Sequence, residues 1–207
     1  MKPLQAQPTA GPEYFDEMFR GNDDPWEFRT RWYEVRKRAL TLACLPAARF
    51  TCAYEPGCAN GELSAELAVR CERLLVSDGS ARAVELARSR LAAMPHVEVR
   101  HAWLPAAWPS GSFDLIVVSE VGYFLEASAL DALAAKMLGS LQVGGWIVAC
   151  HWRRAIAGCA LDGDAVHRRL DARLGLRRLS QLHEEDFRLD VWSRDARSVA
   201  QREGFDW

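Results

Sequence analysis

The sequence predicts an α/β fold with a mostly parallel, seven-stranded sheet that carries helices on both faces and ends in an antiparallel hairpin. Two observations support this prediction. Five short apolar runs alternate with amphipathic helical patterns between residues 49 and 151, and two closely spaced alternating runs follow near residue 185. Alternation of strands and helices favours a parallel sheet, because each parallel connection requires a long crossover segment.

The predicted strands differ in how much of their surface is apolar. The parallel runs are residues 50–54, 73–77, 97–101, 113–119 and 146–151, with predicted helices at residues 62–71, 81–93 and 129–141. The fourth and fifth runs contain LIVV and WIVAC, which are apolar on both sides as the central strands of a covered sheet should be. Residues 177–183 and 187–193 alternate in polarity around an acidic turn, which indicates the antiparallel hairpin.

The chain has the length of one ordinary domain with its own core, at 207 residues. Residues 1–12 contain three prolines and little that could pack, so we expect a flexible tail there. Residues 13–207 are then a single domain, in which residues 13–45 form a helical, aromatic-rich N-terminal cap and residues 49–195 form the core.

The composition argues against several classes of function. The net charge is −2 with acids and bases interspersed, so we expect no nucleic-acid partner, which would require a basic face. The six cysteines include no C-x-x-C pair and the histidines lack a zinc-like spacing, so we expect no metal. We find no pattern of a signal peptide or a membrane span, and we expect a cytoplasmic protein with reduced thiols and no membrane partner.

The stretch YEPGCANG, residues 54–61, connects a predicted strand to a predicted helix through two glycines. Gly57 and Gly61 permit positive φ and let a ligand approach bare backbone, although a tight corner in a sheet would need them as well. Asp78 ends the next predicted strand, where an acid accepts hydrogen bonds from ribose hydroxyls or caps the following helix. Together the turn and the acid favour a nucleoside cofactor.

The charge of the turn distinguishes between nucleoside cofactors. A dinucleotide site typically has the spacing G-x-G-x-x-G, because the pyrophosphate lies at the helix N-terminus. Here the spacing is E-x-G-x-x-x-G, and Glu55 would repel a pyrophosphate but attract an ammonium group. We therefore predict S-adenosylmethionine, which has an ammonium, a sulfonium and a ribose but no phosphate, rather than NAD(P).

At this point the sequence resembles a known family. The segments EPGCANG, SD, FDLIVVSEVGYFL and LQVGGWIV are similar to the successive motifs of class I S-adenosylmethionine-dependent methyltransferases, which have a Rossmann-like fold. More narrowly, DDPW, the E-x-G-C-A-x-G turn and the FDLIVVSEVGYFL block resemble the nodulation protein S family. The resemblance runs from about residue 14 to residue 152. It implies N-methylation, since the type members of the family methylate the deacetylated, non-reducing glucosamine of a chito-oligosaccharide.

The resemblance implies a cofactor site in which S-adenosylhomocysteine is the product. In such enzymes the N-terminal segment lies over the cofactor, so Tyr14 or Arg31 would contact the methionine carboxylate. The predicted cofactor-binding residues are Tyr14, Arg31, Glu55, Gly57, Cys58, Gly61, Asp78, Gly79, Trp103, Leu104 and Ser119. Three residues depart from the usual pattern, namely Ala59, Gly79 and Trp103, and Trp103 would either stack on the purine or partly occlude the site.

The candidate catalytic residues lie at the carboxyl ends of the fourth and fifth strands, where ligands bind in doubly wound folds. Glu120 would hold and deprotonate a substrate ammonium, or else cap a helix or pair with an arginine. Tyr123 would orient the substrate or belong to the core. His151 would act as a base or as a sugar-binding donor, or be structural. Aromatic rings suit a sugar face, although an aromatic stripe at helical spacing, such as that with Trp26 and Trp32, can also belong to the core. The predicted substrate-binding residues are Trp26, Trp32 and Trp152.

The sequence thus predicts a methyltransferase that N-methylates an amine, such as a deacetylated amino sugar of an oligosaccharide. Two alternatives remain open, because a fold does not fix the acceptor. One is an O-methyltransferase that acts on a small-molecule hydroxyl or carboxylate, and the other is a non-catalytic binding module with the same fold. We expect a small-molecule or oligosaccharide acceptor as the partner, and a monomer or a homodimer.

Overall fold

The fold is a seven-stranded sheet with helices on both faces, seen in a computed structural model that describes residues 11–205. In chain order the elements are α1 (Pro12–Phe19), α2 (Trp32–Ala43), β1 (Ala53–Pro56), α3 (Glu62–Ala68), β2 (Leu74–Asp78), α4 (Ala81–Leu91), β3 (Val97–His101), β4 (Phe113–Ser119), α5 (Ala127–Ser140), β5 (Leu141–Trp152), α6 (Gly163–Leu174), β6 (Arg177–His183), β7 (Phe187–Ser193) and α7 (Val199–Arg202). Of the predicted tail, residues 1–10 lie outside the described residues. No helix between residues 11 and 205 is both long and apolar enough to cross a membrane.

The strand order explains where a ligand can bind. The strands lie in the order β3-β2-β1-β4-β5-β7-β6. The first five strands pair in parallel, and β7 pairs antiparallel with both β5 and β6. From β1 the chain adds β2 and β3 on one side of the sheet, and then β4 and β5 on the other side. The crevice between β1 and β4, where this change occurs, is the place where open α/β sheets bind ligands. The predicted mostly parallel sheet with an antiparallel hairpin is confirmed.

Two hydrophobic cores lie on opposite faces of the sheet, as the doubly apolar strands predict. On β4, Leu115 and Val117 belong to the core with α3 and α4, whereas Ile116 and Val118 belong to the core with α5 and α6. All four side chains are buried. A strand buried on both faces must be apolar at successive positions, and this accounts for the run LIVV.

The predicted boundaries of β3, β4, β6 and β7 agree with the structure, but β1 starts three residues later than predicted. The reason is local: the amides of Thr51 and Cys52 donate to the carboxylate of Asp114, at 2.6 and 3.0 Å, instead of entering a ladder. Helix α6 was not predicted, although Asp162 accepts from the amide of Ala165 as its N-cap and Gly175 adopts positive φ at its end.

Asp114 should therefore contribute to stability by fixing the chain where it enters β1. Hydrogen bonds to a charged group contribute roughly 1.5–3 kcal/mol each, less where solvent competes, so Asp114→Ala should lower the free energy of unfolding by about 2 kcal/mol. Asp114→Asn is the matched control, because its amide keeps one acceptor oxygen and should lose about half as much. Urea denaturation measures both, and an unchanged midpoint for the alanine variant would contradict the assignment.

Candidate active site

A cavity of about 550 Å³ opens at the carboxyl ends of β1, β2 and β4, and residues from α1 and α2 complete its wall. Fourteen of the residues predicted from the sequence line it, namely Tyr14, Trp26, Arg31, Glu55, Gly57, Cys58, Asp78, Gly79, Trp103, Leu104, Ser119, Glu120, Tyr123 and Trp152. The structure thus brings together residues from seven segments of the chain. Gly61, Trp32 and His151 are not part of this wall.

The β1–α3 turn requires unusual backbone conformations. Gly57 has φ of 75°, and a Cβ on it would lie 2.1 Å from Cγ2 of Val121, so only glycine fits between this turn and the end of β4. Ala59 also adopts positive φ, at 50°, which costs an alanine roughly 1–2 kcal/mol. Gly61 has φ of 81°, and a Cβ on it would lie 3.3 Å from the Cα of Ala87 in α4. Gly61 therefore serves helix packing rather than the cavity wall.

Two buried acceptors in the cavity wall lack a hydrogen-bond partner. Oε2 of Glu55 and Oδ1 of Asn60 are both buried, and neither finds a donor in the described part of the chain. The amide nitrogen of Asn60 donates to the backbone oxygen of Asp23 and to Oδ1 of Asp24, at 3.1 Å each, which fixes the orientation of the group. Buried acceptors without donors are costly, so this end of the cavity suits a ligand that donates, above all a cation.

The pKa of Glu55 reflects this environment. Burial raises the pKa of the Glu55 carboxyl to about 8; the nearby Ser64 hydroxyl acts in the opposite direction, and the negative charge of Asp78 adds to the effect of burial. Glu55 is therefore largely protonated at neutral pH without a ligand. A cationic group beside it would favour the carboxylate and lower its pKa.

Asp78 joins two turns of the site through one carboxylate. Oδ2 accepts from the amide of Ala59 at 2.9 Å, and Oδ1 accepts from the amide of Ser80, also at 2.9 Å. Burial raises the pKa of Asp78 above its ordinary value, although these amides act in the opposite direction. The helix-capping alternative is wrong, because Ser80 caps α4 by accepting from the amide of Ala83. A carboxylate has about four acceptor positions, so Asp78 retains capacity for hydroxyl groups of a ligand.

Gly79 and Trp103, which both depart from the family pattern, are in mutual contact. A Cβ on Gly79 would lie 2.2 Å from Cε3 and 2.5 Å from Cζ3 of the Trp103 indole. The indole therefore occupies the space that a larger residue at position 79 would fill. Trp103 is 36% exposed and forms part of the cavity wall, as does the neighbouring Leu104. The two departures compensate each other, because the Trp103 indole fills the space beside Gly79 and keeps this end of the cavity apolar.

Glu120, at the end of β4, has a strained backbone and a side chain in which both carboxyl oxygens accept hydrogen bonds. Its φ is 57°, a region that costs non-glycine residues energy and that often marks functional sites. Oε1 accepts from Nζ of Lys37 at 2.7 Å. Oε2 accepts from the hydroxyl of Tyr123 and from the amide of Trp152, the latter at 3.0 Å. These contacts bring Glu120 and Tyr123 together as a unit in the cavity wall.

Lys37 is a site residue that the sequence analysis missed. It is buried and lies between two carboxylates, with Nζ 2.7 Å from Glu120 and 2.9 Å from Glu34. Burial opposes its charge, but the attraction of the two carboxylates outweighs burial and raises the pKa of Lys37 above its ordinary value. Burial also raises the pKa of Glu34. With both carboxylates ionised, the cluster of Glu34, Lys37 and Glu120 carries one net negative charge.

Aromatic side chains surround this charged cluster. The rings of Tyr33 and Trp152 meet edge to face with centroids 5.5 Å apart. The hydroxyl of Tyr33 is buried without a hydrogen-bond partner among residues 11–205, and burial raises the pKa of Tyr33. Trp26 stacks on Phe28 with ring centroids 5.5 Å apart, so one of its faces is already covered. This end of the cavity thus combines charge, one buried hydroxyl without a partner among residues 11–205, and apolar ring surface.

Three predicted site residues lie elsewhere, each for a physical reason. Trp32 begins α2 on its outer side and is 73% exposed, so the predicted sugar contact is not supported. His151 is fully buried, and Nε2 accepts from the amide of Gly122 at 3.0 Å, so it does not face the cavity as a base would. Gly61 supports α4, as described above. Within the described residues no cluster of three or more metal-ligating side chains occurs.

Of the missed residues Asn60 and Lys37, only Asn60 had a signal in the sequence. Asn60 lies inside the glycine turn, where any side chain is close to a ligand. Lys37 lies in the string VRKRAL, which looks like the solvated face of a helix and gives no indication of burial. Arg31, which was predicted to contact a carboxylate, lines the cavity but pairs with Glu27.

The relatives of the chain identify the fold and the family. The sequence profile of the nodulation protein S family, NodS, matches residues 17–166. Nodulation protein S of Sinorhizobium fredii is 35% identical over 132 residues, which make up 61% of this chain and 59% of the relative. The chain therefore spans less than two thirds of the length of this curated relative.

Two solved structures have the same fold. The N-methyltransferase NodS from Bradyrhizobium japonicum WM9, crystallised with S-adenosyl-L-homocysteine, has a TM-score of 0.80 at 25% identity and covers 88% of this chain and 97% of its own. A Pseudomonas syringae protein, provisionally described as a methyltransferase, is 54% identical with a TM-score of 0.72, covering 79% of this chain and 100% of its own. The architecture is that of class I methyltransferases, and the chain belongs to the nodulation protein S family.

Proposed function

We propose that this chain is an S-adenosylmethionine-dependent methyltransferase that methylates an amine nitrogen, such as that of an unacetylated amino sugar in an oligosaccharide. The observation that carries the proposal is the cluster of Glu34, Lys37 and Glu120 in the cavity wall, whose net negative charge suits an ammonium group. The name N-methyltransferase of the related B. japonicum NodS supports the same nucleophile.

The residues at the β1–β2 end fit the cofactor. The unpartnered acceptors of Glu55 and Asn60 suit the α-ammonium group, and the remaining acceptor capacity of Asp78 suits ribose hydroxyls. Trp103 and Leu104 offer apolar surface to the adenine. When bound, S-adenosylmethionine supplies a methyl group on a positively charged sulfur, and S-adenosylhomocysteine remains after transfer. No negatively charged phosphate has to be accommodated beside Glu55.

Glu120 has the chemistry to prepare an amine acceptor. An amine is largely protonated at neutral pH and must lose a proton before its lone pair can attack. Tyr123 and the amide of Trp152 both donate to Oε2 of Glu120, so Oε1, which pairs with Lys37, keeps the spare acceptor capacity. We assign Oε1 as the atom that holds the ammonium group and receives its proton or passes it to water. Lys37, whose pKa is raised, stays charged beside Oε1.

The surroundings of Glu120 favour a sugar as the carrier of the amine. Sugar rings present hydroxyl groups at their edges and apolar C–H faces. The buried Tyr33 hydroxyl offers a hydrogen bond to such an edge, and Trp152 offers aromatic surface to such a face. This assignment keeps the predicted role of Trp152 and transfers that of Trp32 to Tyr33.

Comparison of two acceptors tests the proposal. A deacetylated chitotetraose should accept methyl groups, whereas the fully acetylated tetramer should not, because its nitrogen has no basic lone pair. Glu120→Gln should lower kcat by about 10²–10⁴, the usual contribution of a positioned base, while the Kd of S-adenosylhomocysteine stays within about twofold. Glu126→Gln, an exposed change just after the same segment, is the matched control.

Equal transfer to both tetramers would point instead to oxygen as the nucleophile. If millimolar S-adenosylhomocysteine neither bound nor raised the melting temperature, the chain would be a binding module without cofactor, and the proposal would be wrong.

Cofactor affinity should depend on pH through Glu55. Because its pKa is about 8 without ligand and the bound ammonium favours the carboxylate, affinity for S-adenosylhomocysteine should rise roughly tenfold or more between pH 6 and 8. The stability of the ligand-free protein should change with pH in the opposite direction to the affinity. The folded protein retains a proton that the unfolded chain loses above pH 4.5, so native stability falls as pH rises from about 4.5 to 8.

Glu55→Gln removes both effects. Its ligand-free melting temperature should exceed that of the native chain by more at pH 8 than at pH 5.5, and its affinity for S-adenosylhomocysteine should be weak and independent of pH. Glu85→Gln, an exposed change on α4, should reproduce the native pH dependence. Calorimetry and thermal melts at several pH values measure these quantities, and a flat native affinity profile would refute the role of Glu55.

The contact between Gly79 and Trp103 predicts non-additive substitutions. Gly79→Ala places a Cβ against the indole and should lower the free energy of unfolding by about 1–3 kcal/mol, as overpacking does. In Gly79→Ala/Trp103→Ala the clash is absent, so the double variant should be more stable than the sum of the single changes by about 1–2 kcal/mol. Gly139→Ala, which meets no atom within 4 Å, is the control. Additive urea midpoints would contradict the compensation between Gly79 and Trp103.

A further inference from the structure

Three buried polar side chains form a continuous hydrogen-bonded chain between the C-terminal hairpin and the cavity. The amide of Gly122 donates to Nε2 of His151 at 3.0 Å, and Nδ1 of His151 lies 3.1 Å from Nε2 of His167. Nδ1 of His167 lies 2.6 Å from Oδ2 of Asp190. These side chains come from β5, α6 and β7, and all three are fully buried. Nothing in the proposed methyl transfer uses them directly.

The chain of contacts permits only one arrangement of protons. An amide N–H is always a donor, so Nε2 of His151 must be unprotonated, and the proton of a neutral His151 lies on Nδ1. That proton is donated to Nε2 of His167, which places the proton of His167 on Nδ1, directed at the carboxylate of Asp190. Adding a proton to either ring, or reversing either tautomer, would set two donors against each other. Burial lowers the pKa of both histidines, which agrees with neutral rings.

The far end of this hydrogen-bonded chain is the carboxylate of Asp190, which lies next to two arginines. Oδ2 of Asp190 also accepts from Nε of Arg188 at 2.7 Å, and its second oxygen lies 3.5 Å from the guanidinium of Arg178. Although burial alone would raise the pKa of Asp190, its contacts with His167 and Arg188 lower it. Asp190 is therefore a fixed carboxylate, and its charge determines the tautomer of both rings.

The other end of the hydrogen-bonded chain is Nε2 of His151, which contacts the segment that carries the proposed catalytic groups. Gly122 begins the 3₁₀ turn Gly122–Phe124, which is separated from Glu120 by Val121 alone. A Cβ on Gly122 would lie 2.5 Å from Cγ1 of Val166 and 3.0 Å from Nε2 of His151, so the backbone is pressed against both. Glu120 itself is in the left-handed region. Such a strained segment persists only when its surroundings fix it.

We propose that Asp190, His167 and His151 are positioning residues that hold the segment from Glu120 to Phe124 by presenting a single acceptor atom to the amide of Gly122. This inference rests on the roles proposed above for Glu120 and Tyr123. The carboxylate orients His167, His167 orients His151, and Nε2 of His151 fixes the turn that places both proposed catalytic groups. His151 thus acts through the backbone of Gly122 and not as a base.

Nuclear magnetic resonance of the intact, histidine-labelled protein tests the central step without a mutation. Long-range ¹H–¹⁵N correlations at pH 7.5 should show both His151 and His167 as Nδ1–H tautomers, although free imidazole side chains prefer Nε2–H. Finding either ring as Nε2–H, or as imidazolium, would overturn the inference. This measurement needs no cofactor and no acceptor.

Substitutions test what the orientation does. His167→Phe keeps a ring in the core but removes the acceptor for His151, so the amide of Gly122 should exchange its hydrogen roughly tenfold faster, the equivalent of one hydrogen bond. The kcat with deacetylated chitotetraose should fall by about the same factor, with the Kd of S-adenosylhomocysteine unchanged. His151→Gln, which retains an acceptor oxygen, should preserve more of the protection of Gly122 than His151→Leu does. His183→Gln, on the exposed side of β6, should match the native chain.

The outcomes separate the two proposals. If no methyl group reaches the tetramer in the native protein, the proposed acceptor is wrong, and the tautomers and the exchange of Gly122 still decide the inference. If His167→Phe leaves the exchange of Gly122 and the tautomer of His151 unchanged, these residues are core packing and the inference is wrong.

Discussion

The carboxylate of Asp78 accepts one hydrogen bond from the β1–α3 turn and another from the start of α4. This pair of contacts holds Ala59 in a conformation that alanine disfavours, and it aligns the amides of two successive turns on one side of the sheet. The remaining wall follows from it, because Gly57 then faces Val121 and Gly79 leaves room for Trp103. A single acidic side chain at a strand tip therefore links the two turns that form this end of the cavity.

The opposite end of the cavity contains buried charges that do not cancel, because one lysine pairs with two carboxylates. A buried lysine between two carboxylates is stabilised by both, and removing the lysine would leave the two carboxylates without the cation that they share. The excess carboxylate distinguishes ligands by charge, since an ammonium group completes the cluster whereas an anion would be repelled. In the proposed methylation of an amine, affinity and reactivity would thus have the same origin, because the group that attracts the amine would also receive its proton.

The sequence predicts features that depend on neighbouring residues, and it does not predict features that depend on contacts between distant parts of the chain. The run LIVV specifies a strand buried on both faces, and the turn around Gly57 with Asp78 specifies a cofactor end, because these signals are local or repeated. Lys37 and Tyr33 line the cavity only through tertiary contacts, and their neighbours in sequence look like an ordinary helix. His151 lies at the predicted strand end, yet whether it faces the cavity or the core depends on α6, which the sequence analysis did not predict.

The strand order has a consequence for how the protein is made. β7 lies between β5 and β6, although it is the last strand in chain order. While the chain is being synthesised, β5 therefore keeps an open edge until residues 187–193 leave the ribosome, and such an edge invites association with other chains. Every residue that lines the cavity precedes that point. A nascent chain can thus contain the complete cavity wall and still lack Asp190, so the active site matures only when the hairpin inserts.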